Sequence, residues 1–335
     1  MTDTRAAAAG LSAMAAGGNL PRVLYLGGLG RSGTTLLERL LGELPDVCSA
    51  GEVVHLWQRG IADAERCGCG EPFPDCQFWH QVGELAFGGW AEVDVRRIGE
   101  LRGAVDRSRY IPLLAAPALY PSFRRGLDEY IDYYLRIYAA IAKVSGRPVV
   151  VDSSKHASLA FCLRWRAELD LRVVHVVRDS RAVAFSWTRQ VNRPESASDP
   201  YMPTYQPTRA ALLWNAQNGA LQLLAKEGVP TLRVRYEDLA TAPSATLARI
   251  ARFAGIAASG PGLDFLGSDA GGRWAALGAS HTASGNPMRF ATGKIAIRTD
   301  DRWRTMMPAA QRRKVTALTL PLLAGYGYVG RSQAH

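Results

Sequence analysis

Residues 22–41 pass from a short apolar run, Arg22-Val-Leu-Tyr-Leu-Gly27, through the turn Gly28-Leu-Gly-Arg-Ser-Gly-Thr-Thr35, into a stretch whose leucines recur at helical spacing. The order is strand, glycine-rich loop, helix. Glycines let the backbone wind tightly between the two elements, so that successive amides and the helix N-terminus face one anion. The segment therefore predicts a phosphate cradle.

The ligand of that cradle is narrowed by what the loop lacks. A nucleoside-triphosphate loop is written GxxxxGK[ST]; here Gly28 and Gly33 hold the glycine positions and Thr34 stands where the lysine belongs. Without that point charge the β- and γ-phosphates lose a partner, which argues against kinase or triphosphatase chemistry unless Arg31 substitutes.

Three further segments, Pro148 to Val151, Leu171 to Val177 and Thr231 to Val234, are β-branched runs of buried-strand length separated by helical patterns. This alternation predicts an α/β fold of the P-loop nucleotide-binding kind, a central parallel sheet with helices on both faces. Phe123 to Val144 carries apolar residues at spacings of three and four and reads as a long amphipathic helix. Val191 to Pro207 and Gly260 to Thr299 are rich in turn residues and read as loops, and Pro308 opens a last helix ending near Gly325.

A hydrophobic share of 47% and a charged share of 21% suffice for a sizeable core. With no repeat and no linker, residues 21–330 read as a single domain, and residues 1–20, rich in Ala and Gly, as a disordered leader. Forty Lys and Arg against thirty Asp and Glu give a net charge of +10, which favours an anionic ligand. The basic residues are scattered as pairs such as Arg96-Arg97 and Arg312-Arg313, without the aromatic-interleaved stripe of a single-strand binder, so no nucleic-acid partner is expected. No apolar run is long enough to span a bilayer, and a cytoplasmic location is expected.

Five cysteines, an odd number, argue against a secreted disulfide framework. Cys67, Cys69 and Cys76 fall close together, and His80 or Cys48 is available as a fourth zinc ligand. The spacing is not a standard CxxC pair, and an unmetalled turn is the expectation.

Gly30-Arg-Ser-Gly-Thr-Thr-Leu-Leu resembles the 5′-phosphosulfate loop of sulfotransferases that use 3′-phosphoadenosine-5′-phosphosulfate, in a form with Arg where cytosolic members usually have Lys. That family has a second segment in which an Arg at a strand end and a Ser eight residues later grip the 3′-phosphate. His175-Val-Val-Arg-Asp-Ser-Arg-Ala-Val-Ala-Phe-Ser186 supplies Arg178 and Ser186 at that spacing. Both can face a crevice at the carboxyl ends of the strands, where open α/β sheets bind nucleotides.

The resemblance implies a sulfotransferase that moves a sulfuryl group to an acceptor hydroxyl; direct in-line transfer with no sulfo-enzyme is expected, and no metal requirement, since neither an HExxH nor an EF-hand pattern is present. It assigns Gly30, Arg31, Ser32, Gly33, Thr34 and Thr35 to the donor's 5′ end and Arg178 and Ser186 to its 3′-phosphate. Tyr236 matches a segment near the nucleotide, and Ser284, Arg289, Arg298 and Arg302 fall in the region of a C-terminal basic loop that closes over it.

For the chemistry, Arg31 is the first choice to stabilise the departing phosphate, against a salt bridge to Glu38. Lys155 matches a lysine that touches the sulfuryl group, against a solvent lysine beside a helix capped by Asp152, Ser153 or Ser154. Glu52 lies as far past the loop as the catalytic Glu of protein-tyrosine sulfotransferases, and partial burial that raised its pKa would suit it as base. His55 is the rival, since cytosolic members use a histidine.

Two other readings remain: a kinase or nucleotide-binding protein with a degenerate Walker loop, and a non-catalytic module for nucleotide or sulfated ligands. Cys67 to Pro121 and Val191 to Pro207 are expected to wall the pocket of a small-molecule, carbohydrate or lipid acceptor. The acceptor's identity and the oligomeric state have no signature in the sequence.

Overall fold

The computed structural model describes residues 20–193, 195, 200–256 and 260–329. The proposed leader lies almost wholly outside these residues. Five parallel strands form the central sheet: β1 Arg22–Gly27, β2 Val47–Gly51, β3 Val149–Lys155, β4 Leu171–Val177 and β5 Thr231–Arg235, in the order β2-β3-β1-β4-β5.

The central strands β1 and β4 are buried along almost their whole length, as a parallel sheet covered by helices requires, whereas the edge strand β5 is only partly covered. Along β1 the side chains alternate: Val23 and Tyr25 join the core shared with helices Pro121–Ser145, Ala157–Leu163 and Pro207–Lys226. Leu24 and Leu26 join the opposite core, with the leucines of helix Thr34–Gly42 and with Leu247 and Ile250 of helix Pro243–Ala254. One strand thus ties two hydrophobic layers together.

Two elements depart from the sequence reading. β2 falls between the anticipated strands; its sequence Val-Cys-Ser-Ala-Gly is too short and too weakly β-branched to announce itself, yet all five residues are buried. The segment Gly260 to Thr299, expected to be loop, instead holds an antiparallel sheet of β6 Leu266–Asp269, β7 Gly272–Leu277 and β8 Gly293–Ile297. Its inner side, Ala275, Leu277 and Ile297, closes the second core, so a few buried side chains outweigh the turn-forming glycines.

The long helix, the last helix (Ala309–Gly325) and strands β3 to β5 form where expected. Val191 to Pro207 lies partly outside the described residues. Among those described, no helix is long and apolar enough to cross a membrane.

Candidate active site

The carboxyl ends of all five parallel strands deliver a candidate residue to one edge. β1 leads into the glycine turn, β2 into Glu52, β3 ends at Lys155, β4 leads into Arg178 and β5 into Tyr236. β1 and β4 are neighbours whose connections leave in opposite directions, the switch point where open α/β sheets form a crevice. A cavity of about 980 Å³ occupies it, lined by Gly30, Arg31, Gly33, Thr34, Thr35, Glu52, His55, Lys155, Arg178, Ser186, Tyr236, Arg298 and Arg302.

The turn after β1 is held by conformation. Gly33 has φ 87° at the start of helix Thr34–Gly42, and a Cβ there would lie 2.2 Å from Cδ2 of Tyr236. Arg31 takes the left-handed conformation as well, at φ 74°. Such backbone is strained for a residue with a side chain and survives where its surroundings fix it.

The Arg31 guanidinium lies 5.2 Å from the Trp187 ring centroid, and its Nε and Nη2 are buried without a hydrogen-bond partner. Burial pushes its pKa down while the Glu52 charge pulls it up, and a guanidinium remains charged regardless. The salt bridge to Glu38 does not form. That carboxylate is buried and accepts from Ser49 Oγ at 2.5 Å and Ser153 Oγ at 2.7 Å.

Arg178 reaches back from the end of β4. Its Nη1 donates to the Arg31 carbonyl at 2.9 Å and its guanidinium carbon lies 4.7 Å from the Tyr236 ring centroid. Ser186 sits in helix Ser180–Trp187, whose first turn is capped by Asp179 accepting from the Arg181 amide at 2.9 Å. The Tyr236 hydroxyl donates to the Arg298 carbonyl at 2.8 Å.

Lys155 is the last residue of β3, at φ 70°, and its ammonium is ion-paired with Glu52. It is not a solvent lysine: the helix that follows starts at Ala157, and Asp152 accepts from Ser154 and Tyr138 instead of capping it. His55 Nε2 lies 3.6 Å from the other Glu52 oxygen. Burial raises the Glu52 pKa, but the charge and hydrogen bond of Lys155, with Arg59 and His156, outweigh burial and hold it below the ordinary carboxylate value. This reverses the direction expected from the sequence, because the cation beside Glu52 comes from a distant strand. Burial, then the cations around it, keep His55 well below 6.5, so its ring is neutral at pH 7.

Several expected residues lie elsewhere. Ser32, Ser284 and Arg289 are buried and are not among the residues lining the cavity. The Arg289 guanidinium donates to the carbonyls of Thr282 at 2.9 Å and Arg66 at 2.6 Å, so it braces the loop from within and does not face a ligand. Ser284 Oγ accepts from Arg59 at 3.2 Å. Arg302 lines the cavity but is held by Asp300 through two contacts of 2.7 Å.

Of Cys67 to Pro121, only Ser108 lines the cavity; helices Gln77–Phe87 and Val95–Val105 of this segment pack on helix Pro121–Ser145. Met202, Pro203 and Tyr205 of the second expected wall do line it. Sequence reading passed over Arg59, His156, Trp187 and Gln217, which also line it. Of these only His156, next to Lys155 at a strand end, carried a positional signal.

A family model described as the sulfotransferase domain matches residues 21–266. Solved structures similar to this chain include the sulfotransferase domain of the olefin synthase from Synechococcus PCC 7002, at 20% identity over 91% of this chain and 96% of that one, TM-score 0.46. The sulfotransferase domain of the curacin biosynthetic pathway is similar at 17% identity over 90% and 98%, TM-score 0.46. A sulfotransferase from Mycobacterium avium is similar at 15% identity over 76% and 70%, TM-score 0.40. No curated protein sequence matches the chain significantly.

Proposed function

The chain belongs to the sulfotransferase domain family, and we propose from its site that it transfers a sulfuryl group from 3′-phosphoadenosine-5′-phosphosulfate to an acceptor hydroxyl. This reading rests on the Arg31 side chain, half-buried in the turn beside Trp187, whose Nε and Nη2 are buried and have no hydrogen-bond partner. Buried N–H donors left without acceptors are costly unless a ligand supplies them.

In this reading the amides from Gly30 to Thr35 and the Arg31 side chain hold the 5′-phosphosulfate. Arg178 and Ser186 hold the 3′-phosphate, and Tyr236 and Arg298 flank the nucleotide. The turns after β1 and β4 are neighbours, so one bisphosphorylated adenosine spans them.

The acceptor oxygen attacks sulfur in line with the bond between sulfur and the bridging oxygen. That bond breaks, its electron pair goes to the 5′-phosphate, and the hydroxyl proton passes to Glu52. The products are a sulfate ester and adenosine 3′,5′-bisphosphate. Arg31 stabilises the charge that develops on the leaving phosphate.

Lys155, paired with Glu52 in the free protein, turns toward the incoming sulfuryl group; losing that partner raises the basicity of the buried Glu52 as the proton must move. His55 orients the second Glu52 oxygen. Neither a covalent intermediate nor a metal takes part in these steps. The kinase reading fares worse because Thr34 stands in place of the phosphate-binding lysine.

A thermal-shift titration tests the donor class. Adenosine 3′,5′-bisphosphate is expected to raise the melting temperature in a concentration-dependent way and ATP with magnesium to do so far less. The reverse preference contradicts the proposal.

A further inference from the structure

Away from the cavity, Cys67, Cys69, Cys76 and His281 converge so that their sulfur and nitrogen atoms lie within 4.8 Å of one another. Cys69 Sγ is 3.7 Å from Cys76 Sγ, and His281 Nδ1 is 3.3 Å from Cys76 Sγ and 3.9 Å from Cys67 Sγ. A tetrahedral zinc with Zn–S near 2.3 Å and Zn–N near 2.05 Å separates its ligands by about 3.8 Å between sulfurs and about 3.6 Å between sulfur and nitrogen. We propose that these four residues form a structural zinc site. Neither His80 nor Cys48, the fourth ligands that sequence spacing offered, belongs to the cluster.

The surroundings are those of a metal-binding knuckle. The Gly70 amide donates to the Cys67 carbonyl at 2.9 Å and the Cys67 amide to the Glu71 carbonyl at 2.7 Å, a tight turn that Gly70 closes at φ 99°.

His281 is held in place by its own outer contacts. Trp79 Nε1 donates to its carbonyl at 2.8 Å and the Phe78 ring stacks on its imidazole at 5.1 Å and 16°. The 3.7 Å between Cys69 and Cys76 sulfurs is far from the roughly 2.05 Å of a disulfide. Three sulfurs and one nitrogen select zinc over oxygen-loving cations, and four protein ligands leave no open position for catalysis. Zinc takes all three cysteines as thiolates.

The site has a mechanical consequence. His281 is 205 residues beyond Cys76 and opens the segment that runs along β2 and the cavity. The Gly68 amide donates to the Thr282 carbonyl, the Ala283 amide to Ala50 and the Glu52 amide to Ser284. Gly285 and Asn286 then line the cavity. Zinc would staple this wall to the Cys67–Cys76 knuckle, independently of which reaction the cavity performs.

Elemental analysis of the full chain, purified without metal-affinity resin, is expected to give about one zinc per chain. Cobalt(II) exchange into the wild-type protein is expected to produce the visible bands of tetrahedral thiolate coordination. His281→Ala is expected to lose zinc to a chelator that leaves the wild type loaded, and Cys76→Ser to lose it without a chelator. Wild-type protein that holds no zinc and takes up neither zinc nor cobalt overturns the proposal, whether or not the variants fold. So does a folded His281→Ala variant with unchanged metal retention and cobalt spectrum, or an intact mass two hydrogens short that marks a disulfide.

Discussion

Arg178 donates a hydrogen bond of 2.9 Å to the backbone carbonyl of Arg31, 147 residues earlier in the chain. This bond joins the turn after β1 to the turn after β4 across the sheet's switch point. A charged donor fixes a strained carbonyl, and the same guanidinium keeps further N–H groups for a ligand.

Replacing Arg178 with Ala should therefore weaken adenosine 3′,5′-bisphosphate binding by about 10- to 100-fold, the loss of one or two hydrogen bonds to a charged group. Isothermal titration calorimetry reads this directly. Unchanged affinity in a folded variant would remove Arg178 from the nucleotide site.

Glu52→Gln should lower kcat by about 10²- to 10⁴-fold with little change in donor affinity, the usual contribution of a general base. His55→Asn should cost less and leave the acid limb of the pH–rate profile in place. Because the Glu52 pKa is depressed in the free protein, that limb falls below the histidine range. Wild-type turnover by Glu52→Gln, or loss of the limb in His55→Asn, would transfer the role to the histidine.

Lys155→Met separates the same pair from the other side. Burial raises the Glu52 pKa, and among the cations that lower it Lys155 comes first, ahead of Arg59 and His156. Removing Lys155 should move the acid limb of the remaining activity to higher pH and reduce kcat. A limb that stays put would mean that the ion pair does not govern Glu52.

Gly33→Ala tests the cradle's backbone. At φ 87° with Tyr236 only 2.2 Å from the added Cβ, the substitution should cost about 1–3 kcal/mol of stability and abolish nucleotide binding. Urea unfolding and calorimetry read the two effects.

His175 predicts an acid weakness of the fold. It is a buried residue of β4, its Nε2 2.8 Å from Asn218 Oδ1, and burial lowers its pKa to about 4. Folded protein resists protonation that the unfolded chain accepts, so this stability is present above pH 6.5 and is lost as pH falls through 4. Relative to His175→Gln, the wild type should lose up to about 3 kcal/mol over that interval. Parallel denaturation curves at each pH would contradict this.

Most of the central sheet and the turns after β1 and β4 were legible because they have local signatures: a glycine turn between apolar periods, and an Arg followed eight residues later by a Ser. What escaped depends on distance in the chain. Cys48 and Ser49 carry no strand signature of their own but belong to β2, because β3 supplies their partners. Arg289 looked like a ligand for a phosphate, yet two carbonyls from the folded loop hold it inside. The direction of the Glu52 pKa followed from Lys155, a neighbour only through the pairing of β2 with β3. His281 was invisible beside the cysteines since nothing in its local sequence marks it.

Calorimetry with adenosine 3′,5′-bisphosphate and adenosine 5′-monophosphate reads whether one nucleotide bridges the Arg31 turn and Arg178. The wild type should bind the bisphosphate about 100-fold more tightly, and the double variant Arg178→Ala, Ser186→Ala should bind both nucleotides nearly alike. A wild type indifferent to the 3′-phosphate, or a double variant that keeps the full preference, contradicts the account.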